Sequence, residues 1–194
     1  MRIKHTLLLP LVLAAAVLSG CVTSTPPATF DLVSAAASVK VRNIRSTIVV
    51  AEPTTVQALG TERLAVMSEG GEISYLPDAQ LTDTLPRLVQ TKMVQSFENS
   101  GFSSVGRPGD RLSPDVTIVT EIRSFEIRTT GGTRAVVELT VKLLNEANGR
   151  VFATRVFRSE KPTATKPASR ATGALDQALG EVMTEMVAWA AKKL

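Results

Sequence analysis

An alternation of apolar and mainly polar residues over segment 134–143 constrains the fold of this chain more than any other feature. Apolar residues at every second position are separated by mainly polar ones: Ala135, Val137, Leu139, Val141 and Leu143 alternate with Arg134, Val136, Glu138, Thr140 and Lys142. Successive side chains of a β-strand point to opposite faces, so this period predicts a strand with one buried face and one mostly wet face. Gly131-Gly132 before it and Asn148-Gly149 after it are typical of hairpin turns. The sequence therefore predicts three antiparallel strands joined by two tight turns.

The other predicted strands are less regular. Residues 115–129 form a long predicted strand whose apolar alternation slips near Arg123-Ser124, and a β-bulge would produce such a slip. The returning strand is predicted over 150–158, and a loop with two prolines follows it over 160–169. Shorter strands are predicted from their β-branched residues and flanking turn residues: at 30–32, 39–50, 63–68, 72–76 and 102–105, with Gly70-Gly71 as a hairpin turn and 54–60 as a loop.

Two long amphipathic helices are predicted, over 82–99 and 170–193. Their apolar residues recur at steps of three and four: Leu85, Leu88, Val89, Met93 and Phe97 in the first, and Leu175, Leu179, Val182, Met183, Met186 and Ala190 in the second. Thr82 or Asp83 can cap the start of the first helix, and Gly101 can end it. Runs of strands with two one-sided helices predict an α+β domain, in which both helices pack across a mixed or antiparallel sheet.

The first twenty residues are typical of a secretory signal. Arg2 and Lys4 precede a mostly apolar run over 7–18, which is shorter than the about 20 residues that a membrane helix needs. The run ends in Leu18-Ser19-Gly20-Cys21, which resembles the lipobox of bacterial lipoproteins, with cleavage between Gly20 and Cys21. The alternative is an ordinary cleavage site next to an incidental free thiol. Because Cys21 is the only cysteine, an unmodified thiol would be a liability in an oxidising compartment, and the pattern favours lipid attachment at Cys21.

The lipobox divides the chain into a signal peptide over 1–20, a lipidated tether over 21–29 and a folded domain over 30–194. The resemblance to bacterial lipoproteins implies a diacylglyceryl thioether and an amide-linked acyl chain on Cys21, and we expect no other cofactor. Three acyl chains hold a protein firmly to a membrane. Val22 stands where an aspartate would favour retention in the inner membrane, so we expect the periplasmic face of the outer membrane. The eight residues after Cys21 reach at most about 29 Å, which keeps the domain close to its membrane.

The residues that remain after cleavage lack the common catalytic chemistry. His5, the only histidine, lies in the predicted signal peptide, which excludes Ser-His and Cys-His catalysis and the common zinc sites. The sequence also lacks a Ser-x-x-Lys motif, a Gly-x-Ser-x-Gly motif and a phosphate-binding glycine loop. We therefore predict no catalytic residue, no metal site and no enzymatic activity. The formal net charge of +4 falls by two units when Arg2 and Lys4 are removed, and no basic cluster interleaved with aromatic residues indicates nucleic-acid binding.

Five side chains are candidate partner contacts. Tyr75 and Leu76, directly before Pro77, are either a partner or lipid contact or a strand-to-helix turn with a half-buried aromatic ring. Lys161, Lys166 and Arg170 belong to the predicted loop over 160–169 and its exit, which is either a partner surface or a solvated connector.

Landmarks spread along the chain carry a family resemblance. In order they are the lipobox, Phe30-Asp31-Leu32, Tyr75, Leu85-Pro86-Arg87-Leu88, Phe97-Glu98-Asn99-Ser100-Gly101-Phe102, Asp115-Val116, Gly149-Arg150-Val151, Phe157 and the C-terminal helix. Their order and spacing resemble those of the ABC-type transport auxiliary lipoproteins, which include the PqiC-type proteins. Members often carry a tryptophan near Tyr75, and this chain does not.

The resemblance implies a function that the residues alone do not show. Such lipoproteins accompany an ABC permease, an ATPase and a periplasmic substrate-binding protein of the MlaD/Mce type, in systems that move phospholipids or other lipids between the two membranes. The chain would be the outer-membrane component of such a system, and a ring of copies is possible. Two alternatives stay open: a structural or regulatory envelope lipoprotein, such as a wall-synthesis activator or secretion-pore subunit, and a soluble lipid carrier.

Overall fold

The structure is a computed structural model that describes residues 26–33, 39–41 and 44–194. The signal peptide, the lipobox with Gly20 and Cys21, and the first part of the tether lie outside the described residues. In chain order the elements are β1 (Ala28–Phe30), β2 (Ile48–Val50), β3 (Thr54–Thr55), β4 (Arg63–Met67), β5 (Ile73–Leu81), α1 (Leu85–Asn99), β6 (Val105–Gly106), β7 (Val116–Arg128), β8 (Arg134–Asn145), β9 (Arg150–Pro162) and α2 (Ala168–Ala191).

The sheet is built around β7, which has different neighbours on its two edges. One edge pairs along its whole length with β8, which in turn pairs with β9, and both pairings are antiparallel. The other edge is shared by three short strands in succession, since β2, β3 and β4 each pair in parallel with a different part of β7. Beyond β4, the sheet continues antiparallel to β5 and then parallel to β1, while β6 pairs in parallel with β2. The nine described strands therefore form one mixed sheet.

Both helices cover the same face of this sheet. Helix α2 packs against β8 and β9, whereas α1 packs against β2 and β6 and also contacts α2. The apolar residues of β8 predicted to face inward are fully buried, and they share one core with the stripes of both helices. The α+β prediction, with two long helices across a mixed sheet, is confirmed.

The predicted turns and the predicted bulge are present. The pairing of β7 with β8 skips one residue between Ile122 and Ser124, which is where the apolar alternation slips. Gly70, Gly131 and Gly149 all have positive φ angles, as tight turns require. Gly101, with φ of 98°, ends α1 and donates its N–H to the carbonyl of Glu98.

The first strand predictions were too long or out of place. Among the described residues of the predicted strand over 39–50, which are 39–41 and 44–50, only the last three form β2, because β7 begins opposite Ile48. The N–H of Val41 instead donates to the carbonyl of Ser100 at the end of α1. The strand expected at 30–32 lies at Ala28–Phe30, and the one expected at 102–105 is β6. Thr54–Thr55, expected in a loop, pairs with β7 as β3.

Two strands continue to or beyond a proline at which the sequence predicted a strand end or a loop. β5 passes through Pro77 to Leu81 because its pairing with β4 jumps from Tyr75 to Gln80, which leaves Pro77 without a required partner on that edge. β9 likewise continues to Pro162, which pairs with Arg134 at the very end of an edge strand. The loop expected over 160–169 therefore shortens to 163–167.

The two helices begin at slightly different residues from those expected. α1 starts at Leu85 with Thr84 at the N-cap, so the predicted caps Thr82 and Asp83 were wrong; the Asp83 carboxylate instead accepts the Thr84 N–H. α2 runs from Ala168 to Ala191 and follows Pro167 directly.

Candidate functional site

The described part of the chain contains a mainly apolar groove between β5 and the loop that precedes α2. We call it the β5 groove. Its volume is about 620 Å³, within the range of sites that bind small molecules. Strands β4 and β5 supply one wall and the loop before α2 the other: it is lined by Val66, Tyr75, Leu76, Pro77, Asp78, Thr165, Lys166, Pro167 and Ala168.

The Tyr75 ring in the groove wall is held from two sides. Its hydroxyl donates a hydrogen bond to the carbonyl oxygen of Ala58 at 3.2 Å. The guanidinium carbon of Arg63, one strand away on β4, lies 3.7 Å from the centre of the Tyr75 ring. Cation–π stacking of this kind and a satisfied hydroxyl fix the ring without filling the groove.

The polar side chains in the groove lining carry opposite charges. Asp78 comes from β5, and Lys166 comes from the loop across the groove. Few polar groups in an apolar lining are typical of sites that bind and orient an apolar ligand. The lining thus combines an apolar surface with one carboxylate and one ammonium group.

The groove brings together three of the five predicted contact residues. Tyr75, Leu76 and Lys166 line it, although Lys166 lies about ninety positions further along the chain. The other two lie elsewhere. Lys161 is on β9, where its ammonium group forms an ion pair with Glu181 of α2, and Arg170 lies in the first turn of α2, where its carbonyl accepts a hydrogen bond from the Thr163 hydroxyl.

The contacts of Lys161 join the edge strand to the helix above it. The Glu181 carboxylate accepts hydrogen bonds from Lys161 and, at 2.7 Å, from the Ser159 hydroxyl. These two donors hold the pKa of Glu181 below its usual range, with Lys161 the larger cause. Lys161 therefore has a structural role in this fold.

The face of the sheet turned away from the helices carries an ion-pair network that sequence reasoning did not identify. It links five side chains of β7, β8 and β9: Arg123, Glu138, Arg158, Glu160 and Arg134. Glu126 and Arg128 of β7 form a separate ion pair on the same face. Arg158 is central, because it contacts both Glu138 and Glu160 and holds the pKa of Glu160 below its usual range. The charges of β8 were visible in the alternation, but their partners depend on the strand register.

The same face also buries one apolar residue of β8. Val136 lies between its cross-strand neighbours Glu126 and Glu160 and is fully buried, although this face was expected to be mostly exposed to solvent.

Within residues 26–33, 39–41 and 44–194, no three His, Cys, Asp or Glu side chains come together as metal ligands would. None of the helices there has the length and apolar character needed to cross a membrane.

The sequence matches one known protein family over most of its length. A family described as the ABC-type transport auxiliary lipoprotein component matches residues 30–187. The chain belongs to this family. Its members are auxiliary lipoproteins of ABC transport systems, and the family is not an enzyme family. Lipoproteins of this kind are anchored to a membrane of the cell envelope.

Two solved structures and one curated relative are similar to this chain. The crystal structure of protein XCC0632 from Xanthomonas campestris is similar with a TM-score of 0.71 and 26% sequence identity, and the match covers 87% of this chain and 91% of that one. A second crystal structure has a TM-score of 0.67 at 12% identity, with 86% and 99% coverage, and shows the shared fold alone. Protein bll6063 of Bradyrhizobium diazoefficiens is 31% identical over 150 residues, which are 76% of this chain and 40% of that protein. The chain thus spans less than half the length of that relative.

Proposed function

We propose that this auxiliary lipoprotein is the outer-membrane component of an ABC system that moves phospholipids or related lipids between the inner and outer membranes. The acylated sulfur of Cys21 anchors the domain to the periplasmic face, and the domain docks a periplasmic substrate-binding protein of the MlaD/Mce type, which works with an ABC permease and an ATPase. The chain itself performs no covalent chemistry.

The family match over residues 30–187 carries this proposal. The fold also supports a docking role over a pore. The inward face of β8 is buried beneath α2, so a membrane-crossing hairpin made from β8 and β9 would first have to lose its helix.

Depletion and co-purification test the proposal together. Depletion in cells is expected to change the lipid asymmetry of the envelope, and the affinity-tagged lipoprotein is expected to retain an MlaD-like protein from detergent extracts. The matched control carries Cys21→Ser behind a secretory signal whose cleavage does not require lipidation: it lacks the anchor and leaves the described domain unchanged, so it is expected to bind the same partner in solution while no longer sedimenting with membranes. Unchanged lipid asymmetry together with no retained MlaD-like protein would overturn the proposal. Conductance through liposomes carrying the purified protein would support the pore alternative.

A further inference from the structure

The register of β1 shows where the anchored end of the chain enters the sheet. β1 pairs in parallel with β5, with Ala28 opposite Ala79 and Phe30 opposite Leu81. Because the strands are parallel, each step toward the N terminus on β1 is a step toward the groove residues of β5. The same register continued by one residue sets Pro27 beside Asp78, which lines the β5 groove.

The distance from Cys21 to the groove is short. Four residues, 22–25, lie between Cys21 and Pro26, and the five Cα–Cα steps across them extend at most about 18 Å. The groove residues of β5, from Tyr75 to Asp78, occupy only about 10 Å of that strand. A group attached to the sulfur of Cys21 can therefore reach the groove without any rearrangement of the sheet.

The lining of the groove selects among the groups that can reach it. Leu76, Pro77, Val66 and the ring of Tyr75 present an apolar surface, with charges only from Asp78 and Lys166. The tether residues over 22–25 are Val-Thr-Ser-Thr, three of which carry hydroxyls, so the tether itself is a poor match to this surface. A hydrocarbon chain matches the groove surface, because the contact removes apolar area of both the chain and the groove from water.

We infer that the β5 groove holds one acyl chain of the lipid attached to this chain's own Cys21. The inference rests on acylation of Cys21 in the proposed function, and it is independent of the transport partner. With three acyl chains on one residue, two remain in the membrane when one occupies the groove, and two membrane signals still anchor a protein stably. The short tether gives the attached chain a high effective concentration at the groove, so it outcompetes free lipid. The domain is thereby held with the groove end of β5 against the membrane.

A photoreactive fatty acid tests the inference on the intact lipoprotein. Cells are fed a fatty acid with a diazirine near its end, and the full-length processed lipoprotein is purified in detergent and in phospholipid vesicles. After irradiation and digestion, mass spectrometry is expected to locate cross-links on the peptide that contains Tyr75–Asp78 and on the one that contains residues 165–168. This mapping uses the unaltered chain and depends on no variant.

Two groove variants and one control sharpen the result. Leu76→Glu places a charge inside the groove and is expected to lower the cross-link yield there at least fivefold. Because Leu76 is buried, Pro77→Glu at an exposed groove position is the second variant, and the same direction is expected. Val156→Glu changes an exposed apolar residue on β9 and is expected to leave the yield unchanged.

Three outcomes would overturn the inference. Cross-links confined to lipid, detergent or other faces of the domain would show that the acyl chain stays outside the groove. Groove labelling by a photoreactive phospholipid in vesicles, without labelling from Cys21, would assign the groove to a membrane lipid. If hydrogen exchange of the groove peptides were equally slow in Cys21→Ser and in the lipidated protein, the groove would be assigned to the tether peptide. Absence of fatty acid on Cys21 itself would instead remove the anchor of the proposed function, and the mass of the N-terminal peptide separates these cases.

Discussion

The guanidinium of Arg63 stacks on the ring of Tyr75, with 3.7 Å between the Arg63 Cζ atom and the ring centre. The two residues lie on neighbouring antiparallel strands, β4 and β5, where the pairing shifts between Arg63 and Ala65. The stack therefore spans the irregular part of the sheet and supports the wall of the β5 groove. A cation over an aromatic face contributes about 0.5–1 kcal/mol at exposed sites.

A double-mutant cycle measures this stack. Arg63→Ala and Tyr75→Leu are expected to show a coupling free energy of about 0.5–1 kcal/mol, because each change alone already removes the whole cation–π contact. Urea unfolding of the processed chain with Cys21→Ser, followed by circular dichroism, gives the four free energies. A control cycle uses Arg150→Ala, at the start of β9, in place of Arg63→Ala. Its effect on the free energy of unfolding is expected to add to that of Tyr75→Leu. Additivity of the Arg63 and Tyr75 changes would contradict the prediction.

The aromatic residues of β9 are expected to differ sharply in their contribution to stability. Phe157 is 1% exposed and meets Trp189 of α2 edge to face, with ring centres 5.5 Å apart. Phe157→Ala removes this contact and leaves a cavity, so it is expected to lower the free energy of unfolding by about 3–5 kcal/mol. Phe152→Ala, on the same strand but 46% exposed, is the matched control and is expected to cost about 1 kcal/mol or less. Similar midpoints for the two variants in urea would contradict the packing described.

Two glycines are expected to respond to alanine in opposite directions. Gly173 lies inside α2, and a Cβ atom there meets nothing within 4 Å, so Gly173→Ala is expected to stabilise the protein by about 0.5–1 kcal/mol. Gly101 has φ of 98°, and its added Cβ would lie 3.1 Å from the carbonyl oxygen of Val41. Gly101→Ala is therefore expected to destabilise by about 1–2 kcal/mol. Thermal unfolding distinguishes the two, and a shift of the same sign in both would be inconsistent with these conformations.

The ion pair between Lys161 and Glu181 predicts a small acid sensitivity. Its donors lower the pKa of Glu181 in the folded protein, so its stabilisation is present above the unfolded pKa of about 4.3 and is lost as the pH falls through the lowered folded value. Both side chains are partly exposed, so the effect is expected to stay below about 1 kcal/mol and to shrink in salt. Glu181→Gln is expected to lose less stability than the unaltered chain between pH 7 and pH 3. Glu121→Gln, which removes the same charge from β7, serves as the control in these denaturation curves, and equal losses for both variants would argue against the pair.

The parts of the fold that local pattern could predict are those whose partners are close in sequence. The alternation in β8 and its two glycine turns define a meander of three strands, and the slip at Arg123-Ser124 marks the bulge. The strand predicted over 39–50 was too long, because the prediction relied on the preference of β-branched residues for extended backbone. Whether such residues pair depends on β7, which lies more than sixty positions away and begins opposite Ile48.

The sequence singled out some residues of the candidate site but could not predict which of them lie together. Tyr75 and Leu76 were singled out, and so was Lys166, but no local pattern indicates that β5 faces the loop before α2. Lys161 and Arg170 are close to Lys166 in sequence, yet a strand and a helix carry them to other surfaces. The ion-pair network was missed for the same reason, because the partner of a charge on β8 depends on which residue of β9 lies opposite.

The edge that β2, β3 and β4 share on β7 sets the order in which the domain can be completed. A polypeptide made from its N terminus contains these three segments before residues 116–128 exist to pair with them. The meander of β7, β8 and β9, whose contacts are local, assembles quickly once it has been synthesised. β2 and β3 therefore lack their long partner until β7 has been synthesised, and β4 can pair only with β5 before then. The N-terminal half of the sheet is completed only when the C-terminal half is present.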